Sequence, residues 1–365
     1  MATDSDPSDI ASASDPYDAV LFVSFGGPEG PDDVLPFMEN VTRGRGIPRE
    51  RLVEVSEHYQ RFGGVSPINA QNRLLIAALE AELSSHGLVL PVYWGNRNWE
   101  PFLPDAIERM RADGIHRALA FVTGAFSSYS GCRQYREDIE RARSIVGADA
   151  PSVDKLRVFY NHPGFVEPMI DNVATAVQTL DATSRTSHLA FTAHSVPMSM
   201  ADSSEYVVQL RDASGLVADG VAHRLGRTIP WDLSFQSRSG NPGQPWLEPD
   251  IGDRLEALAS AGAVGVVVVP IGFVSDHMEV VYDLDTLARD RAVAVQLPMM
   301  RAATVGTDPR FVAMIRLLIE ERIDAASGRP VIRACVGGRG ANHDVCPLDC
   351  CPAPVRASAP SRTPR

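Results

Sequence analysis

The chain has 365 residues, of which 44% are hydrophobic and 22% charged, so it can bury a core of ordinary size in one large domain or two smaller ones. Its formal net charge of −12 argues against nucleic acid as the main partner, because no general positive field exists to attract phosphates. An anionic ligand would have to be held by local arginines.

The start of the chain and its longest apolar run bear on location. Residues 1–16 are rich in Ser, Asp and Ala and lack the basic and apolar regions of a signal peptide, so we predict a disordered leader. The longest apolar run, Ala263–Ile271, is shorter than the roughly 20 residues that cross a bilayer. We therefore expect a cytoplasmic protein without a membrane span.

Short apolar runs rich in β-branched residues alternate with longer helical patterns, which is typical of parallel βαβ units. In chain order, the predicted strands are Ala19–Ser24, Pro91–Trp94, Ala118–Thr123, His188–Thr192, Leu233–Gln236 and Val264–Pro270. The predicted helices are Asn72–Leu83, Asp105–Ala112, Arg133–Val146, Val166–Leu180, Glu205–Leu225, Asp250–Ala261 and Pro309–Ile323. The pattern predicts an α/β protein of the doubly wound class, with a second half from about Val158 and a Gly-, Pro- and Cys-rich tail after Ala326.

The glycine-rich segment Gly26–Gly30 follows the first predicted strand. It lacks the spacing of a dinucleotide or P-loop fingerprint, so nucleotide binding is not expected. A tight turn that needs positive φ explains these glycines.

His194 directly follows the apolar run that ends at Ala193. Ligands of open parallel sheets bind beyond the carboxyl ends of the strands, so its ring should project into a cleft. An imidazole can accept a proton or bind a borderline metal at neutral pH. A histidine that is merely hydrogen-bonded in a loop is the alternative.

Three carboxylates follow the last predicted strand of the second half. Asp276, Glu279 and Asp283 have the spacing of one helix face, and Ser275 is a candidate helix cap. Their oxygens suit Fe²⁺ or Mg²⁺ in transit. A solvated acidic helix face is the alternative interpretation.

Basic residues cluster early in the chain, at Arg43, Arg45, Arg49 and Arg51. A guanidinium grips a carboxylate with two parallel hydrogen bonds, so these residues could bind a carboxylate ligand. A solvated charge run beside a helix would explain the same pattern.

The five cysteines are Cys132 in mid-chain and Cys335, Cys346, Cys350 and Cys351 in the tail. In a reducing compartment this clustering favours metal ligation over disulfides. Four thiolates suffice for a [2Fe–2S] cluster, with Cys132 at a helix start that favours the thiolate. Zinc held by three tail cysteines and His343 is the rival.

Together these residues resemble the ferrochelatase family, in particular its actinobacterial branch. The resemblance runs in order from about Tyr17 to about Ile323. The segments that carry it are Ser24–Pro28, Gly63–Pro67, Trp99–Phe102, Thr192–Pro197, Gln236–Gly240 and Pro270–Glu279.

The resemblance implies two Rossmann-like domains, each a parallel four-stranded sheet flanked by helices, around a porphyrin cleft. We predict that residues 17–157 and 302–326 form the first domain and residues 158–301 the second. Residues 327–365 would form the cysteine-rich tail, with a disordered end.

The implied activity is insertion of ferrous iron into a porphyrin in haem biosynthesis, with His194 and Glu279 facing each other at the ring centre and Asp283 as a further metal ligand. Branches of this kind metallate coproporphyrin III, whereas others take protoporphyrin IX. The predicted substrate contacts are Phe25, Arg43, Arg45, Ser66 and Tyr135. Transient contacts with neighbouring haem-pathway enzymes are a further expectation.

Relatives with a similar C-terminal extension hold a [2Fe–2S] cluster, which has one ligand in the domain and three in the tail. The resemblance implies Cys132, Cys335 and Cys346 as ligands, with Cys351 favoured over Cys350 as the fourth.

The chain departs from the family pattern at three positions. Leu287 stands where many relatives continue the acidic row with a glutamate, Asn98 where some have a metal-binding histidine, and Phe25 where some have a tyrosine that contacts the inserted iron. The iron route is therefore predicted to be simpler here.

Three alternatives stay open at this stage. One is a protoporphyrin IX ferrochelatase, and another is a chelatase for cobalt or sirohydrochlorin. The third is a non-catalytic haem or Fe–S sensor.

Overall fold

Two parallel sheets organise the computed structural model, which describes residues 16–44, 46–239 and 243–354. Within these residues each sheet has four strands, in the orders β2-β1-β3-β4 and β6-β5-β7-β8. The first sheet comprises β1 Ala19–Ser24, β2 Val92–Asn96, β3 Arg117–Val122 and β4 Ser152–Lys155. The second comprises β5 His188–His194, β6 Trp231–Gln236, β7 Val266–Val269 and β8 Met299–Arg301. The α/β class and the parallel four-stranded sheets are confirmed.

Helices connect the strands and cover both faces of each sheet. In the first half they are α1 Val34–Val41, α2 Arg49–Gln60, α3 Ile68–Ser85, α4 Leu103–Ala112 and α5 Gln134–Val146. In the second half they are α6 Pro163–Asp181, α7 Met198–Ala201, α8 Tyr206–Leu225, α9 Ile251–Ser260, α10 Met278–Val281 and α11 Arg289–Ala294. The last is α12 Pro309–Ala326, and two π-helical segments, Tyr129–Arg133 and Asp283–Ala288, precede α5 and α11.

The central strands follow directly from their sequence. β1 and β7 are buried along their whole length, and β7 consists of four valines. A strand covered by helices on both faces needs apolar side chains at nearly every position, and β-branched residues favour the extended backbone.

Several elements were not predicted from the sequence. The edge strands β4 and β8 were missed because Ser-Val-Asp-Lys has a single apolar residue and β8 has three residues in all. Helices α1 and α2 were also missed, and α3 begins four residues earlier than predicted. An edge strand is half-exposed, so its residues need not form an apolar run.

One large hydrophobic cluster joins the two halves. Phe121 of β3 packs against Phe159, and Phe311 of α12 contacts both rings. Helix α12 packs on α3 of the first half and on α6 of the second. The shared core fixes the two sheets relative to each other, while the domain boundaries at residues 157/158 and 301/302 stay a prediction.

Among the described residues, no helix is both long and apolar enough to span a membrane. The predicted leader, apart from Pro16, and the predicted disordered end of the tail from residue 355 lie outside the described residues.

Candidate active site

The carboxyl ends of β5 and β6 carry the first group of the site. His194 is the last residue of β5 and lies opposite Gln236, the last residue of β6, in the parallel register. The Tyr206 hydroxyl, at the start of α8, donates a hydrogen bond of 3.0 Å to the His194 carbonyl. The sheet and Tyr206 therefore hold the backbone at His194, while the His194 imidazole projects beyond the end of the strand.

Glu279 faces the imidazole from the segment that follows β7. The distance from His194 Nε2 to Glu279 Oε1 is 3.3 Å. The two side chains are 32% and 40% exposed, although the strands behind them are buried, so they line an opening. A cavity of about 470 Å³ lies nearby, on the β6 side of this sheet edge; Ser195, Phe235 and Leu247 are among its lining residues, whereas His194 and Glu279 are not.

Each partner shifts the pKa of the other. Burial alone would lower the pKa of His194, but the Glu279 charge and hydrogen bond outweigh it and raise the pKa to about 9. Burial alone would raise the pKa of Glu279, but His194 and His277 lower it to about 2. At neutral pH the pair is therefore imidazolium and carboxylate, and it presents donors and charges of both signs to a ligand.

The predicted helix face of three carboxylates is wrong at Asp276. Helix α10 begins at Met278 and is capped by the His277 ring, whose Nδ1 accepts from the Glu279 N–H at 3.2 Å, so Ser275 is not the cap. Asp276 lies before the helix and instead accepts hydrogen bonds from Arg301 and Thr304. A half-buried arginine that the sequence pattern could not pair with Asp276 holds this carboxylate away from the catalytic candidates.

Asp283 lies beyond α10, at the first residue of the π-helical segment. The Ser237 hydroxyl donates a hydrogen bond to its Oδ2. Burial raises the pKa of Asp283 to about 7, with Glu279 adding to the effect. Asp283 and Glu279 thus belong to one electrostatic group.

Side chains of the first half reach the same group. Burial raises the pKa of the Tyr59 phenol, and Glu279 and Asp283 add to that shift. Next to it, the His58 ring stacks on Tyr282 with centroids 4.3 Å apart. The catalytic candidates therefore lie between the two halves.

Tyr135 is buried on α5, and the Arg97 guanidinium lies over its ring at 5.4 Å. The pKa of Tyr135 is raised to about 12 by burial, and Asp138 and Glu279 also raise it. Tyr135 therefore lies within electrostatic reach of the pair.

The other predicted substrate contacts are spread along the first half. Phe25 packs edge-on against Phe37, and Ser66 is buried against Gly27, where an added Cβ would lie 2.9 Å from the Ser66 hydroxyl. Arg43 is exposed just after α1. Arg45 lies outside the described residues.

Asn98 is buried, and its side-chain Nδ2 has no hydrogen-bond partner among the described residues. Leu287 is 46% exposed in the π-helical segment. Neither side chain offers an imidazole or a carboxylate to a metal.

Sequence reasoning missed Tyr59, Tyr206 and Gln236 as members of this group. Gln236 was noted only within a family-like segment, although its place at a strand end was a usable signal. Tyr59 lies on a helix that was not predicted, and nothing local in the sequence relates it to Glu279.

Four of the five thiols lie together. A hydrogen bond with Cys346 lowers the pKa of the buried Cys132 thiol to about 5, against the effect of burial, and the Lys155 charge contributes. Cys350 Sγ is 3.6 Å from Cys351 Sγ, and burial with the nearby Cys350 raises the pKa of Cys351 to about 12. Thiols crowded in this way repel once ionised, and a bound metal would remove that repulsion.

His343, Cys346 and Cys350 form a further group whose ligand atoms all lie within 4.8 Å of one another. Cys335 lies elsewhere on the tail: its neighbour Ala334 bonds the buried Arg157–Glu321 ion pair. In the described part of the chain the Cys335 thiol makes no hydrogen bond with another thiol. The donor set fits a metal centre near the C-terminus.

The two parallel four-stranded sheets, with an imidazole and a carboxylate meeting beyond the carboxyl edge of the second sheet, define an α/β protein of the chelatase class. The fold is similar to the solved structure titled "SirB from Bacillus subtilis with Fe3+", with a TM-score of 0.51 over 86% of this chain and 98% of that one. The identity is 10%, so this likeness concerns the fold alone.

Sequence comparison identifies the family. The ferrochelatase family model matches residues 17–323. A coproporphyrin III ferrochelatase of Streptomyces coelicolor is 54% identical over 97% of both chains, and one of Nocardia farcinica is 49% identical over 94% of this chain and 99% of that protein. A ferrochelatase of Rhodopirellula baltica is 53% identical over 92% of this chain and 93% of that protein.

The chain belongs to the ferrochelatase family. It is a metal chelatase, and its homology supports insertion of iron into a porphyrin in haem biosynthesis. The resemblance predicted from the sequence motifs is confirmed.

Proposed function

We propose that this chain inserts Fe²⁺ into coproporphyrin III, with His194 and Glu279 as the catalytic pair. The observation that carries the proposal is the 3.3 Å approach of His194 Nε2 and Glu279 Oε1 at an opening between the two halves. Several relatives that share about half of the sequence are named for this substrate, which supports the choice of porphyrin.

The reaction releases two protons as one Fe²⁺ enters the ring. The pyrrole nitrogens that lose these protons become the ligands of the iron. His194 starts in its charged form, so it must first release a proton before it can accept one from the ring, and the approach of a doubly charged ion favours that release. Glu279 balances the charge of the arriving ion, and Asp283 beside it extends the negative region towards the route of iron.

The ring must also bend so that its nitrogen lone pairs leave the plane. Binding energy from the propionates can offset that strain when the cleft wall is rigid. We propose that the propionates are bound by Arg43, Arg45 and Ser66. The porphyrin ring is proposed to contact Phe25 and Tyr135. Two guanidiniums suit a substrate that carries more carboxylates than protoporphyrin IX.

Substrate choice is tested by anaerobic turnover of coproporphyrin III and protoporphyrin IX side by side, followed by visible absorbance. We expect a higher kcat/KM for coproporphyrin III. Arg43→Gln should lower it by about 10- to 100-fold, since a hydrogen bond between charged groups contributes about 1.5–3 kcal/mol. Arg51→Gln is the matched control, because Arg51 is paired with Glu54 at 2.5 Å.

A preference of the parent protein for protoporphyrin IX would contradict the choice of substrate while leaving the chelatase intact. Equal losses of kcat/KM in the two arginine variants would contradict the proposed binding of a propionate by Arg43.

We further propose that the tail holds a [2Fe–2S] cluster with Cys132, Cys346 and Cys351 as ligands. The close contacts among these thiols and Cys350 support it, and a bound cluster of this kind can exchange one electron. Cys335, which the sequence favoured, and Cys350, which lies nearer, are the two candidates for the remaining position. Zinc bound with His343 is the competing occupant and would leave the protein colourless.

The cellular setting is part of the same proposal. We place the protein in the cytoplasm, with porphyrin and ferrous iron as its ligands and only transient contacts with enzymes that precede or follow it. A sensor that binds haem without turnover is the alternative of another class, and a single-turnover assay with Fe²⁺ and porphyrin separates the two.

A further inference from the structure

We propose that Gln236 is a positioning residue that holds Glu279 opposite His194 during iron insertion. The inference rests on the proposed role of the catalytic pair. It assigns a function to a buried amide that bonds the Glu279 main chain and the strand that ends at His194.

The Gln236 side chain connects the two parts of the site. Its carboxamide oxygen accepts a hydrogen bond of 3.0 Å from the Thr192 hydroxyl, on the strand that ends at His194. Its Nε2 donates to the main-chain carbonyl of Glu279. The main-chain carbonyl of Gln236 accepts from the Ser195 N–H at 2.8 Å, so one residue contacts both sides of the pair.

Burial makes this connection firm. Gln236 is 1% exposed and Thr192 is fully buried, so water cannot replace either hydrogen bond. An unmade hydrogen bond at such a place costs about 1–3 kcal/mol, which keeps the amide engaged at both ends.

Glu279 needs such a support because it lies in the first turn of a helical run that is irregular. Helix α10 continues through Tyr282 into the π-helical segment and then α11, and a π-helical segment interrupts the regular hydrogen bonding that would fix the turn before it. The orientation of Glu279 relative to β5 therefore depends on contacts from the side. A misplacement of about 1 Å at a reacting group can cost about 100-fold in rate.

The chemistry at this position requires an amide. A carboxamide accepts at one end and donates at the other. The Glu279 carbonyl can only accept, so it selects the Nε2 end, and the Thr192 hydroxyl donates to the oxygen that faces away. A glutamate of the same shape would present an acceptor to the Glu279 carbonyl and would lose the bond.

The test measures kcat and KM for porphyrin and Fe²⁺ in Gln236→Glu, with porphyrin affinity taken separately from fluorescence quenching. We expect kcat to fall by about 10- to 100-fold, in line with the loss of one buried hydrogen bond, while both KM values and the porphyrin Kd stay within about twofold. Gln209→Glu is the matched control, because the Gln209 amide is equally buried and bonds Ser127 instead of the pair.

A second pair of variants avoids placing a new charge in the core. Thr192→Val removes the hydroxyl with little change of shape and should lower kcat by about 3- to 10-fold, since the buried carboxamide oxygen of Gln236 then loses its donor and the amide is held at one end only. Thr192→Ser keeps the hydroxyl and should restore parental kcat.

The outcomes separate this inference from the proposed function. Parental kcat in both Gln236→Glu and Thr192→Val, or a loss that falls on KM and Kd alone, overturns the role of Gln236 and leaves the proposed function standing. A parent protein that binds porphyrin but inserts no iron overturns both.

Discussion

The imidazole of His194 is held at both ring nitrogens, by Glu279 at Nε2 and by the Ser195 carbonyl at Nδ1. His194→Ala should lower turnover by about 100-fold or more, because a positioned acid or base contributes about 10²–10⁴ to the rate. Porphyrin should still bind with parental affinity, measured by fluorescence quenching. His86→Ala, at an exposed position on the first half, is the control. Retained turnover would remove His194 from the mechanism.

Asp283 is expected to affect the binding of Fe²⁺. We expect Asp283→Asn to raise KM for Fe²⁺ by about 10-fold while KM for porphyrin stays unchanged, because the substitution removes a negative charge beside Glu279 and keeps the shape. Steady-state kinetics at fixed porphyrin check this. Asp290→Asn on the exposed side of α11 should change neither constant, and a shift confined to the porphyrin KM would contradict the assignment.

At the scale of the element, helix α6 begins with an unusual cap. The His162 ring accepts the Gly164 N–H at Nδ1, at 3.0 Å, and its Nε2 is buried without a partner among the described residues. Burial, aided by the Arg157 charge, lowers the pKa of His162 from 6.5 to about 4. The cap therefore functions only with a neutral ring.

The sign of the resulting pH dependence follows from proton linkage. Between pH 6.5 and about 4 the unfolded chain binds a proton at His162 and the folded chain does not, so stability falls as the pH falls through this window. The loss amounts to about 3 kcal/mol at its full extent. The loss of stability is complete only at pH values below the pKa of His162 in the folded protein.

His162→Asn tests the cap, because asparagine also caps helices but does not titrate. We expect its Tm to fall less steeply than the parental Tm between pH 7 and pH 4.5. His223→Asn, at an exposed position near the end of α8, should leave the parental slope unchanged. Identical slopes in all three proteins would show that His162 is not the group that titrates.

At the scale of the whole molecule, the tail joins parts that are distant in sequence. Arg157 and Glu321 form a buried ion pair that bonds the tail at Ala334, and Arg133, next to Cys132, donates to the Leu348 carbonyl. Loss of the metal centre should therefore loosen a segment that covers both the mid-chain cysteine and the last helix.

Cys346→Ser should bleach the visible absorbance of a bound cluster and lower Tm by several degrees. The thermal change is expected because a bound group stabilises the folded state by mass action. Iron and sulfide content measured beside the visible spectrum check the loading. Parallel Cys335→Ser and Cys350→Ser variants identify the fourth ligand, since only the true ligand should bleach like Cys346→Ser. A coloured Cys346→Ser protein would contradict the ligand set.

Much of this molecule is determined by local sequence. Apolar runs specified β1, β5 and β7, because a strand covered on both faces is made mostly of apolar side chains. The position of His194 could be predicted for the same reason, since a polar residue directly after such a run must lie at the carboxyl edge of the sheet.

The site itself was decided by tertiary structure. Asp276 has the right spacing for a row of three carboxylates on one helix face. However, α10 begins only at Met278, and Asp276 instead bonds Arg301. Tyr59 and Gln236 approach Glu279 from other elements, and no periodic pattern in the sequence indicates that these residues are close together. The sequence determines which residues can occupy the end of a strand, whereas burial and the contacts between the two halves decide which of them share one charge environment.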